Sequence, residues 1–230
     1  MTDMMITVKM PLWQKIAGWI MIAMHLIFLP ELVALFCDLT NIPLNNYTLN
    51  IADFVIGWIL VIGLFFGFLK ANFKTFGRSV KKSFLAIAVG LAVYFALNIA
   101  VNLIINALTP EGFSNANEAA LDAMAEHYQW ALLICTVLLV PLTEEVLYRG
   151  VLHQILYQRN RILAYVISTF VFAAIHVVGY IGYTDGYSLF LAFHQYLPAG
   201  IALALAYELS DSIWAPIIIH STINFIAMVL

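Results

Sequence analysis

Apolar residues in this chain neither alternate nor keep to narrow stripes. They gather into seven long runs, at 16–37, 51–69, 83–108, 130–152, 162–182, 188–207 and 213–230. Runs of this kind match the length a helix needs to cross a bilayer. The pattern predicts an all-α fold, a polytopic transmembrane bundle of about seven helices. It forms a single integral membrane domain over 1–230, with no soluble domain and no internal repeat. The first run follows Lys9 and Lys15 as a signal peptide would. It is too long for one and ends in no small-residue cleavage site, so it is expected to be a retained helix.

Composition agrees. The 230 residues are 63% hydrophobic and 10% charged, against roughly 45–50% and about 25% in soluble domains. Disorder and an ordinary soluble globule are excluded, and the lipid bilayer is the first partner. A net charge of -3 without a basic tail gives nucleic acid no foothold. Cys37 and Cys135 match no metal spacing and imply no disulfide framework.

Charge orders the connections. Lys70, Lys74, Arg78, Lys81 and Lys82 crowd the link between the second and third runs, and Arg159 and Arg161 that between the fourth and fifth. With Lys9 and Lys15 these are nine of the ten basic residues, and seven alternating spans put all nine on one side. Basic loops mark the cytoplasm. The N-terminus is therefore expected inside and the C-terminus outside. The turn at 208–212 should share the basic side, yet carries Glu208 and Asp211 and no cation. The 109–129 link begins with Pro110 and Gly112, which break the preceding helix. Asn115 and Glu118 then resemble a capping box, and the segment is expected to extend the fourth helix. The alternative is a surface helix with Leu121, Met124 and Tyr128 on its apolar face.

Ionisable groups inside a membrane cost about 2.5–3.5 kcal/mol each on insertion scales, and they usually have a function. Here they concentrate late in the chain. The fourth run ends Thr143-Glu144-Glu145-Val146-Leu147-Tyr148-Arg149-Gly150, the fifth carries Phe172 and His176, and the seventh carries His220 and Asn224. Glu145 and Arg149, four apart, share a helix face and can pair. Glu144, turned about 100° away, is left available. A carboxylate beside a second acid in low dielectric suits a general base. His220 and Asn224, again four apart, can aim at one point. This set suits peptide-bond hydrolysis: Glu144 deprotonates water, His176 fixes or shares it, and His220 with Asn224 donates to the oxyanion. Glu144, His176 and His220 are also zinc-ligand types, but no His-Glu-x-x-His signature accompanies them. A metal-free, water-activating site is favoured, with zinc as the alternative and no other cofactor expected.

The three pieces Glu144-Glu145-x-x-x-Arg149, Phe172-x-x-x-His176 and His220-x-x-x-Asn224 resemble the motifs of a known intramembrane protease family. It includes CAAX prenyl endopeptidases and bacteriocin-processing or bacteriocin-immunity proteins. The resemblance covers about 142–224, with Tyr148 and Gly150 also fitting the first motif. It implies an all-helical endopeptidase acting on a membrane-associated peptide or protein. Glu144 and His176 would activate water, His220 and Asn224 would hold the oxyanion, and Glu145 and Arg149 would support them. The family has been described both as metalloproteases and as glutamate-dependent proteases. A compact chain with a positive-inside pattern suits a bacterial plasma membrane. Nothing in the sequence sets an oligomeric state, a substrate or a cut site.

Two other functions compete: a non-catalytic partner, such as an immunity or sensor-regulating protein acting by binding, and a proton-coupled transporter. Polar groups confined to the late helices argue against the transporter. Asn98, Asn102 and Asn106 form a stripe expected to link helices rather than line a cavity. His194 and Gln195 are expected to satisfy the carbonyl that Pro198 frees, with an edge of the active-site cavity as the alternative, and not to be catalytic. His25 and Glu31 are expected at the interface, and His153 solvated at the cytoplasmic boundary.

Overall fold

Long apolar runs leave the backbone no partner but itself, and they fold as helices. The computed structural model describes residues 6–24, 29–41 and 45–229. Among them there are eight helices and no strand: α1 (Leu12–Ala23), α2 (Leu29–Thr40), α3 (Asn46–Arg78), α4 (Val80–Leu108), α5 (Ala116–Tyr157), α6 (Arg161–Ile175), α7 (Gly186–Ser210) and α8 (Trp214–Val229). Five stretches among the described residues are long and apolar enough to cross a membrane: α3, α4, α5, α7, and α6 continued to Tyr180. Large apolar side chains cover the outside, among them Trp13, Phe66, Phe84, Leu103 and Trp130. Their number marks a surface made for lipid rather than water. The protein is an integral membrane protein with an all-α polytopic bundle.

The structure moves several predicted boundaries. The first run falls on α1 and α2, on either side of 25–28, which lie outside the described residues. The expectation for His25 lies there too, and the Glu31 side chain is likewise not described. Lys70, Lys74 and Arg78 lie on the last turns of α3, not in a loop, and the link to α4 is Ser79 alone. Their long side chains let the helix run past the apolar segment while the charges stay in water. The 109–129 link is helical from Ala116 and continuous with α5, with a break at Tyr128 (φ -135°, ψ 32°). Asn115 caps it through the N–H of Asn117 rather than that of Glu118.

The acidic turn at 208–212 has its cations elsewhere on the same end. Arg161 pairs with Glu208 at 2.9 Å, and the Tyr157 and Tyr165 hydroxyls donate to the same carboxylate. Asp211, in the left-handed conformation at φ 59°, caps α7 and accepts from the Thr7 N–H at 2.7 Å. His153 is fully buried, contrary to the expectation of solvation. Its Nδ1 lies 3.0 Å from Ser168 Oγ, among the rings of Tyr157, Tyr165 and Tyr207. A buried imidazole needs such partners, and helices α5, α6 and α7 meet here to supply them.

Small residues bring the late helices together. A Cβ on Gly200 of α7 would lie 3.0 Å from the Thr169 Cα on α6, and one on Gly90 of α4 would meet Ile219 of α8 at 2.5 Å. Close backbone approach of this kind replaces the hydrophobic drive that lipid removes. Around these contacts Tyr148, Phe172, Ala199, Leu203, Ala206, Ile219 and Ile223 form one apolar core. A second core joins α1, α3 and α5 through Met21, Val61, Phe65, Val146 and Leu147.

Candidate active site

Two stretches of α5, Cys135–Leu139 and Val146–His153, are wound as π-helix. Sequence patterning gave no sign of either. Pro141 accounts for the consequence at the first. The Val140 N–H bonds back to the Cys135 carbonyl, and Pro141 has no N–H for the next one, that of Thr136. The Asn224 side chain fills the gap, its amide donating to Thr136 O at 2.8 Å. The Thr136 hydroxyl donates back to Leu132 O at 2.8 Å. So the helix that carries the glutamates is irregular just before them, and α8 is tied to that irregularity. Local π turns are frequent at functional sites.

The second π stretch begins directly after Glu145 and carries Arg149. Glu145 and Arg149 are both fully buried and pair at 2.9 Å, as their spacing predicts. His220, from α8, sets Nδ1 2.9 Å from the same Glu145 oxygen. The Arg149 guanidinium also lies 4.3 Å from the centroid of the Phe172 ring and reaches toward the Gly200 carbonyl at 3.5 Å. Phe172 is a hub: its ring meets Tyr148 edge-on at 6.3 Å, His220 edge-on at 5.6 Å and His176 at 4.8 Å. The sequence offered Phe172 only as part of a motif. Its contacts explain why an aromatic stands there: one ring packs against the cation and both histidines.

Glu144 behaves differently from its neighbour. It is buried, and its Oε2 has no hydrogen-bond partner among the described residues. Thr143 Oγ1, Tyr148 Oη and Glu145 Oε2 are likewise unpaired there. Glu144 lines a small cavity with Asp53, Phe54, Val140 and Thr143. Asp53, on α3, lines this cavity beside Glu144, and no sequence motif singled it out. An apolar cavity of about 280 Å³ lies between α1, α3 and α5, bounded by Met21, Leu60, Leu64, Thr143 and Leu147. The two cavities share Thr143.

His176 ends α6 instead of lying within it. Its Nδ1 is 2.8 Å from the Phe172 carbonyl. A carbonyl can only accept, so Nδ1 carries the proton and Nε2 of the neutral ring is left as an acceptor. Glu144 and His220 both lie close enough to act on it electrostatically. The structure therefore joins Glu145, Arg149 and His220 by direct bonds and sets His176 against them through Phe172. Asn224 spends one amide proton on Thr136. Among the described residues no three His, Cys, Asp or Glu side chains are grouped as a metal ion requires. Glu144, His176 and His220 are not brought together as a zinc site would have them.

Farther toward the end that holds 109–117, polar side chains link helices. The Gln195 amide donates to Asn102 Oδ1 at 3.1 Å and accepts from Asn115 at 2.9 Å. Asn102 thus joins α4 to α7, as its expected linking role requires. Gln195 makes that link and His194 sets Nδ1 2.7 Å from the Phe190 carbonyl; among the described residues neither side chain bonds the carbonyl that Pro198 frees.

No curated protein and no solved structure matches the chain. Residues 126–226 match the family described as type II CAAX prenyl endopeptidase Rce1-like. That stretch holds Glu144, Glu145, Arg149, His176, His220 and Asn224. The resemblance carried by the three motifs is borne out: from 126 to 226, this chain is similar to the CAAX protease family.

Proposed function

We propose that this protein is an intramembrane endopeptidase that hydrolyses a peptide bond in a membrane-associated protein or peptide. One observation carries the reading: Glu144 keeps a buried, unpartnered carboxylate oxygen beside Glu145, whose Oε1 is bonded to two cationic-type side chains. A buried polar atom left unsatisfied costs stability and calls for a reason. Proton transfer at that oxygen is such a reason.

The chemistry follows from the partners. Water is held between the Glu144 carboxylate and Nε2 of His176, the nitrogen that Phe172 leaves unprotonated. Glu144 takes a proton from the water as its oxygen attacks the carbonyl carbon. The oxyanion forms against His220 and Asn224. His220 already gives its Nδ1 proton to Glu145, so it donates from Nε2 only as the doubly protonated ring. In that state Glu144 and Glu145 balance Arg149 and His220, and the buried site is neutral before the reaction. It is neutral again when protonated Glu144 faces the oxyanion. Glu144 then passes its proton to the leaving nitrogen as the C–N bond breaks. Arg149 and Glu145 act by fixing His220. No step is routed through zinc, since the donors are not grouped for it. The apolar cavity that shares Thr143 with the Glu144 cavity suits an apolar substrate residue. We place the basic end of the bundle in the cytoplasm of a bacterial plasma membrane, from the side on which Lys and Arg collect.

The test compares peptide termini in membranes of cells that express the wild type or Glu144→Gln at equal levels. Termini present with the wild type alone are the expected outcome, and they name the substrate and the cut site. Identical termini with the cellular phenotype retained would replace this reading with that of a partner acting by binding.

A further inference from the structure

We propose that Tyr196, held by Asn115 and Asn117, is a positioning residue that fixes the His176 ring in the plane where Nε2 meets the water. The inference rests on the endopeptidase reading. It begins from an imbalance in how the two histidines are held. His220 is fixed by a charged partner, Glu145, at 2.9 Å. Among the described residues the His176 ring makes one hydrogen bond, to the Phe172 carbonyl within its own helix. It stands where α6 ends and the chain turns, so that bond alone leaves the ring free to pivot about it.

Tyr196 supplies what is missing. Its ring stacks on His176 with centroids 4.2 Å apart and planes 23° apart. With Phe172 at 4.8 Å, the imidazole meets two aromatic side chains, one from α6 and one from α7. Tyr196 is itself pinned at its far end. Its hydroxyl accepts from Asn117 Nδ2 at 3.0 Å and from Asn115 Nδ2 at 3.3 Å. Asn117 Oδ1 accepts from the Tyr180 hydroxyl, and Asn115 donates on to Gln195. A tyrosine so anchored at both ends has little freedom to swing. The start of α5 thus sets the angle of a ring that lies on α6. Stacking of this kind fixes orientation without taking up either ring nitrogen. That matters here, since Nε2 must stay open.

Two readouts test this. The first follows cleavage of the peptide identified by termini mapping, in reconstituted protein. Tyr196→Phe keeps the stack and loses the hydroxyl anchor; kcat should fall about 3–10-fold with KM unchanged, the scale of one hydrogen bond. Tyr196→Leu loses both, and kcat should fall about 10²-fold, the scale of a misplaced catalytic group. Tyr196→Phe recovering most of what Tyr196→Leu loses assigns the effect to the ring. The second readout needs no cleavage. Nitrogen-15 spectra of the imidazoles, with the His176 signal identified by its loss in His176→Gln, should show one Nδ1–H tautomer in the wild type. Tyr196→Leu should keep that tautomer, which the Phe172 carbonyl sets, and should shift or broaden the Nε2 signal as the ring pivots. Wild-type kcat and a wild-type Nε2 signal in folded Tyr196→Leu would overturn the proposal. Should that variant not fold, Tyr196→Phe and Asn117→Ala decide it: unchanged kcat in both overturns it. If Glu144→Gln cleaves normally, the endopeptidase reading fails, while the ring spectra still report whether Tyr196 holds His176.

Discussion

Two buried glutamates show what separates architecture from chemistry in this molecule. Glu208, at the basic end of the bundle, is 1% exposed at its side chain and wholly satisfied. Tyr157 donates to one oxygen, Tyr165 and Arg161 to the other, and Arg161 itself is 59% exposed and reaches into solvent. Glu144 is also buried, yet one of its oxygens meets no donor among the described residues. Both carboxylates carry the desolvation cost of burial. Only the first recovers it in bonds. Burial alone therefore does not mark a functional acid; what sets Glu144 apart for the proposed role is an unpaired oxygen on a carboxylate that, unlike those of Glu145 and Glu208, no cationic side chain among the described residues holds.

That contrast can be broken by substitution. The largest effect belongs to Glu144→Gln, which should lower cleavage about 10²–10⁴-fold, the range of general-base catalysis. Its melting temperature in detergent should match the wild type, because no protein bond to Oε2 is lost. Next comes Arg149→Met, which leaves Glu145 buried with His220 as its remaining partner. Chemical denaturation should record a loss of about 3–5 kcal/mol together with loss of cleavage. Glu208→Gln should cost about 1–2 kcal/mol and leave the cleavage rate intact, since exposed Arg161 adds little to the cluster. A drop in cleavage as deep as that of Glu144→Gln would erase the distinction between the two sites. Smaller still is the coupling between Asn224 and Pro141. Asn224→Ala should cost about 1 kcal/mol or more by orphaning Thr136 O. In a Pro141→Ala background, where an N–H returns, a double-mutant cycle should show that cost relieved and the lost cleavage not recovered. At the bottom of the scale, zinc chelation should leave the cleavage rate unchanged, and abolished cleavage restored by added zinc would require a different water-activating group.

The legible part of the fold was the part governed by local rules. Apolar run length marked the spanning helices, and four-residue spacing marked the Glu145–Arg149 pair, because both depend on one segment at a time. What stayed hidden depends on two. The π stretches of α5 answer to hydrogen-bond register, which leaves no trace in hydropathy. His153 read as solvated because its three tyrosines and Ser168 are scattered over 157–207. Asp53 belongs to no motif, and only the packing of α3 on α5 sets it beside Glu144. Asn224 was visible as a neighbour of His220 on one face. Its bond to Thr136 required knowing which carbonyl Pro141 had stranded.

The Glu145–Arg149 pair also bears on how the chain enters the membrane. The two charges are one helical turn apart, so they can neutralise each other as soon as α5 forms, with no other helix present. The guanidinium thus enters the bilayer already matched by one carboxylate, leaving Glu144 as the unmatched group of the segment. His220 lies 75 residues farther along and is synthesised later. The nascent bundle therefore holds a neutral pair while it waits for α8, and the full charge network closes only when that helix docks.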